Sequence, residues 1–229
     1  MSALLTPLLG SIELDALFAD RARVQAMLDV EAALARAQAR LGMIPEAAAA
    51  AIEAEARAET FDLPSLGRDT ARAGNPAIPL VRELTRKVAE RNEEAARFVH
   101  WGATSQDVID TALVLQWRAS LGPITRDLDR LGHVLAAHIE ADAATPMIGR
   151  TWLQHALPIT FGFKVAGWLD AILRHRQRLR AIRPRLLVLQ LGGAAGTLAS
   201  LGSEGLMVAQ ALARELDLAL PDIPWHSAR

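Results

Sequence analysis

The sequence predicts an all-α fold of long helices packed as a bundle, preceded by a small helical region. Alanine, leucine, arginine and glutamate, all good helix formers, dominate the 229 residues. Tyrosine is absent, and no long alternating stretch rich in valine, isoleucine and threonine occurs. Hydrophobic residues make up 51% of the chain, enough for an extensive core and too many for a disordered polymer.

The elements follow in order. Asp20 is the expected cap of a helix with apolar positions Val24, Met27, Leu28, Val30, Ala33 and Leu34, closed by Gly42. Pro45 opens a second helix that ends near Glu59-Thr60-Phe61. A short helix from about Pro64 to Ala73 and another from about Ile78 to Glu94 flank the turn signal Gly74-Asn75-Pro76. From Thr104 the scale changes. Val108, Ile109, Ala112, Leu113, Leu115, Ala119, Ile124, Leu128, Leu131, Leu135 and Ile139 recur at three- and four-residue spacing to about Asp142. A helix of that extent runs about 60 Å, unless Gly122-Pro123 bends or divides it. A loop is expected after Thr145-Pro146, then helices from about Pro158 to Leu187 and from about Ser203 to Leu218. Residues 1–103 read as an N-terminal helical domain and 104–229 as the first part of a central long-helix bundle. Helices apolar around much of their circumference must be covered somewhere, so association of chains is expected.

Composition excludes several function classes. Lysine and arginine number 25 against 26 acidic residues, so there is no electrostatic footprint for nucleic acid or an anionic membrane. The lack of cysteine removes disulfides, thiolate metal sites and thiol nucleophiles, and fits a reducing cytoplasm. No apolar run approaches the ~20 residues needed to span a bilayer. The start, Met1-Ser2-Ala3-Leu4-Leu5-Thr6-Pro7, lacks the basic and apolar regions of a secretory signal, so a soluble cytoplasmic protein is expected. The histidines form no H-x-x-x-H or H-E-x-x-H pair, which gives no support for a metal. Gly192-Gly193-Ala194-Ala195-Gly196 lacks the following Gly-Lys-Ser/Thr of a phosphate loop and reads as a turn between closely packed helices. No cofactor is expected.

Three clusters carry polar chemistry. In His100-Trp101-Gly102-Ala103-Thr104-Ser105-Gln106-Asp107, an imidazole, two hydroxyls and a carboxylate crowd the entrance of the long helix. One reading is capping by Thr104 or Ser105 with Asp107 favourably placed in the first turn; the other is a seat for a substrate carboxylate at a helix N-terminus. The two are compatible. Gly149-Arg150-Thr151-Trp152-Leu153-Gln154-His155 offers a guanidinium, an indole, an amide and an imidazole, suited to an anionic planar ligand, although Trp152 and His155 can equally serve packing. Pro224-Trp225-His226-Ser227-Ala228-Arg229 says little alone.

Together the clusters resemble the fumarase/aspartase superfamily. His100 to Thr111 is similar to its H-x-G-x-T-S-x-D-x-x-D-T segment, and G-R-T-W-L-Q-H-A-L-P-I-T-F-G resembles its second region, commonly G-R-T-H-x-Q-x-A-x-P-x-T. Trp152 stands where adenylosuccinate lyase and fumarase carry a catalytic histidine, a departure typical of the carboxymuconate cycloisomerase branch. Gly74-Asn75-Pro76 and the closing W-H-x-x-R are similar to that branch too. The resemblance implies an L-aspartase-like helical bundle, assembled as a homotetramer whose active sites draw on several subunits. It implies interconversion of 3-carboxy-cis,cis-muconate, a tricarboxylate, with carboxymuconolactone in protocatechuate (β-ketoadipate pathway) catabolism. It places His100, Ser105 and Trp152 in the catalytic site, with Asn75, Thr104, Arg150 and Gln154 binding substrate. His226 and Arg229 match the closing motif without an assigned role. Family members continue further, through more bundle helices and a mobile loop resembling S-S-x-M-P-x-K-x-N-P, whose serine transfers the proton. Nothing here matches that loop, so a missing C-terminal part is expected. Two other readings remain: an adenylosuccinate- or argininosuccinate-type lyase releasing fumarate, against which Trp152 argues, and a non-catalytic helical scaffold.

Overall fold

The computed structural model describes residue 8 and residues 10–226. These fall into two compact units, one comprising the described residues up to Ala119 and from Arg185 onward, the other Ser120–Pro184. The grouping cuts the chain elsewhere than between residues 103 and 104, because 104–119 and 185–226 share the first unit.

In the first unit, the short α1 (Ile12–Leu17) leads into α2 (Asp20–Arg40), the central helix of the core. Met27, Leu28, Val30, Ala33 and Leu34 of α2 are buried, as their spacing predicts. Asp20 is its first helical residue and Ala19 holds the cap position without a side-chain hydrogen bond. Gly42, at φ +70, closes the turn after it. Pro45 precedes α3 (Glu46–Glu55), which stops earlier than expected; a 3₁₀ turn at Ala58–Thr60 follows. Asp62 caps α4 (Leu63–Ala73), accepting from the Ser65 N–H at 3.2 Å, and Gly74 ends it in the left-handed conformation. Next come α5 (Ala77–Arg91) and α6 (Glu93–Ala96), where Asn92 Oδ1 accepts from the Ala95 N–H.

The long helix is continuous. α7 (Ser105–Ala141) runs for 37 residues, straight through Gly122-Pro123 despite the backbone donor that the proline removes. Val108, Ala112 and Val114 of α7 join the core of the first unit. That core is completed by the extended segment around Leu189 and Leu191 and by α9 (Gly205–Glu215). Segment and helix are linked where Ala219 accepts from the Leu189 N–H and donates to the Leu187 carbonyl.

The second unit holds α7 from Ser120 onward, an antiparallel hairpin of β1 (Pro146–Thr151) and β2 (Gln154–Thr160), and α8 (Phe161–Leu186) as far as Pro184. The hairpin occupies the stretch expected as loop and helix start. Pro158 pairs with Ile148 in the ribbon, and α8 begins only after Thr160, whose hydroxyl accepts from the Phe163 N–H. Leu121, Gly162 and Val165 are buried, whereas Val134, Leu157, Phe163 and Trp168 are exposed. No helix among the described residues is long and apolar enough to cross a membrane.

Candidate functional site

The site in the first unit is organised by Asp107, in the first turn of α7 and 1% exposed. Its Oδ1 accepts from Gln190 Nε2 at 2.9 Å and the Gly192 N–H at 3.0 Å. Its Oδ2 accepts from the Gly193 N–H and the Thr104 N–H, both at 2.9 Å. This carboxylate therefore satisfies the Thr104 N–H at the helix entrance, as the acid of a capping box does, and fastens the helix to the glycine-rich segment. Thr111, one turn on, does the same. Its hydroxyl donates to the Gln190 carbonyl at 2.9 Å and accepts from the Gln190 N–H at 3.0 Å. The acid and hydroxyl of the motif are thus architectural, and they leave Thr104 and Ser105 at the helix entrance.

The turn before α7 is equally constrained. His100 has φ +61 and its Nδ1–H donates to Glu31 Oε1 at 2.6 Å. Gln38 of α2 donates to the Trp101 carbonyl at 2.7 Å. Gly102, at φ +81, lies so close to Leu201 that a Cβ would sit 2.3 Å from its Cδ2. Burial favours the neutral imidazole of His100. The hydrogen bond and charge of Glu31, with the charge of Asp107, outweigh burial and raise its pKa above the ordinary 6.5.

His100, Thr104 and Ser105 form one wall of a cleft of about 390 Å³, and Arg82 with apolar Ala77, Ile78 and Val81 of α5 forms another. An imidazole biased toward the cation, a guanidinium and two hydroxyls at a helix N-terminus make a receptor for carboxylates. Asn75 is outside the lining; its Oδ1 accepts from the Ala77 and Ile78 N–H groups, both at 3.1 Å, and so caps α5.

Arg150, Trp152 and Gln154 belong to the second unit, on the hairpin. Arg150 pairs with His155 and Thr151 with Gln154 across the ribbon, leaving Trp152-Leu153 as a two-residue loop. Both loop residues have positive φ, 51 and 63, and are 97% and 95% exposed. Arg150 and Gln154 are exposed too. A two-residue hairpin loop of this conformation normally takes Asn-Gly, so bulky side chains here are held at a conformational cost.

His226 serves the scaffold of the first unit: its N–H donates to Gln190 Oε1 at 3.0 Å and its Nδ1 meets Gln190 Nε2 at 2.7 Å. Arg229 lies outside the described residues. Sequence reasoning missed Glu31, Gln190 and Arg82. For the first two there was a signal: Glu31 shares its helix face with Met27, Leu28, Leu34 and Ala35, and Gln190 stands between Leu189 and Leu191, so each must find a buried partner in a folded chain. Arg82 carried none, because it is one of several arginines on an exposed helical face.

Comparison with known proteins fits this architecture. A family model described as lyase matches residues 13–228. A 3-carboxy-cis,cis-muconate cycloisomerase of Pseudomonas aeruginosa is 60% identical over 93% of this chain and 47% of its own length. One from Bradyrhizobium diazoefficiens is 52% identical over 100% of this chain and 51% of its own. Among solved structures, the 3-carboxy-cis,cis-muconate lactonizing enzyme of Pseudomonas putida superposes with a TM-score of 0.98 at 52% identity, covering 100% of this chain and 52% of that one. The chain therefore spans about half the length of the relatives it matches.

Proposed function

Because the chain belongs to this lyase family, within the fumarase/aspartase superfamily, we propose that the full-length protein interconverts 3-carboxy-cis,cis-muconate and carboxymuconolactone. The observation that carries the reading is the cleft at the entrance of α7, where His100, Thr104 and Ser105 converge opposite Arg82. In the lactonising direction a substrate carboxylate adds to the conjugated double bond, forming the new C–O bond. The electron pair moves onto a second carboxylate, giving an aci-carboxylate, and a proton is then delivered to carbon. No protein nucleophile takes part. The protein's work is to fold the substrate and to place donors where negative charge develops.

In this reading Thr104 and Ser105 donate to a carboxylate, and Asn75 and Gln154 contribute amide donors. His100 and Arg150 supply cationic contacts, and Trp152 shapes the wall where related lyases carry a histidine. Carbon protonation falls to a serine on a loop that this sequence does not contain. Residues 104–229 act as the first part of the long-helix bundle, with 1–103 as the N-terminal domain. The full-length protein assembles as a cytoplasmic homotetramer in which subunits share active sites; the exposed Trp152, Leu157, Phe163 and Trp168 support burial against further chain.

The test is an assay of full-length protein for loss of the conjugated absorbance of 3-carboxy-cis,cis-muconate, with fumarate release from adenylosuccinate and argininosuccinate followed in parallel. Loss of absorbance without fumarate is the expected outcome. Fumarate release alone would make the protein an eliminating lyase, and silence in both arms a scaffold. Replacing Ser105 or Gln154 by alanine should lower turnover by about 10²–10³ with the tetramer intact. Unchanged kinetics remove those two assignments.

A further inference from the structure

Glu31 lies in the middle of α2 and is 1% exposed. Its Oε1 meets His100 Nδ1, and its Oε2 is buried without a hydrogen-bond partner among the described residues. An ionised carboxylate in such a place is costly unless a positive charge stands beside it, and the imidazole of His100 is that neighbour. His100 is itself held in the left-handed region at the wall of the cleft. Its backbone and one ring nitrogen are therefore both committed before any ligand arrives, leaving Nε2 as the ring's remaining polar atom.

We propose that Glu31 is a positioning residue for the cleft: it locks His100 in one orientation with Nδ1–H directed at the buried carboxylate, so that Nε2–H is presented as a charged donor to a substrate carboxylate. The proposal rests on the cleft being the carboxylate site. The other charged groups near it are Asp107 at the start of α7, which favours the cation, and Arg82 on α5, which lines the same cleft. A bound carboxylate then meets the imidazolium, the guanidinium of Arg82 and the N-terminus of α7. The arrangement resembles a relay in geometry, but the proton stays on His100 and Glu31 serves as a fixed counter-charge.

Two measurements test this. In the ¹⁵N-histidine-labelled 229-residue chain, imidazole spectra followed against pH should show a histidine that stays cationic above the ordinary 6.5, assigned to His100 by its loss in His100→Gln. In Glu31→Gln, which keeps the acceptor and the volume but removes the charge, that titration should fall toward the ordinary histidine range. In full-length enzyme the same variant should raise KM for 3-carboxy-cis,cis-muconate and move the basic limb of kcat/KM to lower pH by the same interval, about tenfold in rate per pH unit above the new limb. An unchanged His100 titration in folded Glu31→Gln overturns the proposal, as does a lowered kcat with KM and pH profile unmoved. If Glu31→Gln fails to fold, Glu31→Asp withdraws the carboxylate by one methylene; a wild-type titration there overturns the proposal equally. The spectra need no turnover. An inactive wild-type enzyme with the expected titration would sink the proposed reaction and spare the Glu31–His100 pair, and the converse result would sink only the pair.

Discussion

Replacing Asp107 by asparagine gives a sharp test of the scaffold beneath the cleft. The carboxylate accepts four hydrogen bonds, two on each oxygen: Gln190 Nε2 and the Gly192 N–H on one side, the Gly193 and Thr104 N–H groups on the other. Asparagine has the same shape but only one acceptor oxygen. Whichever way the amide is turned, its NH₂ group points at two donors. Two charge-assisted hydrogen bonds are lost, each worth about 1.5–3 kcal/mol, so destabilisation of roughly 3–6 kcal/mol is expected. That is a large share of a typical total of about 5–15 kcal/mol. Urea titration of the 229-residue chain monitored by far-ultraviolet circular dichroism measures it, and thermal melting should fall by at least about 6 °C. A loss below about 1 kcal/mol would mean that Asp107 does not hold the helix entrance and the glycine segment together.

Gly102→Ala should cost roughly 2–5 kcal/mol, because the new methyl meets Leu201 and alanine resists the left-handed φ; an unaltered urea midpoint would show that Leu201 yields freely. Replacing Trp152-Leu153 by Asn-Gly, residues suited to a two-residue loop with positive φ, should raise the stability of the 229-residue chain by about 1–3 kcal/mol while impairing catalysis by the full-length protein. A neutral or lower melting temperature speaks against stored strain at that tip. For pH, the folded pKa of His100 is raised, so the stability it contributes is fully present below the unfolded value near 6.5 and is lost as pH rises through the higher folded value. Wild-type chain should thus lose this increment on the alkaline side, and His100→Gln should flatten that part of the curve; identical pH dependences would refute the pairing with Glu31.

The long helices were legible because their cause is periodic: apolar spacing over α7 gives its limits nearly to the residue, and Pro123 interrupts the pattern without ending the helix. The hairpin was not legible. Pro146 to Thr160 has mixed polarity, a proline in each strand and no Asn-Gly, and its loop is closed by Trp152-Leu153 against local preference. The cleft was half legible. His100, Thr104 and Ser105 are adjacent in sequence and so stay together in the fold, whereas Arg82 and Glu31 reach them only through packing of α5 and α2. Asp107 and Thr111 were visible as motif residues, but only their contacts with Gln190 and the glycine segment give them architectural roles.

The most direct measurement is a structure of the full-length protein with carboxymuconolactone bound. The account predicts a ligand carboxylate within hydrogen-bond reach of Thr104 and Ser105, with His100 Nε2 directed toward it. A lactone seated away from the entrance of α7, with His100 turned from Glu31, would contradict it.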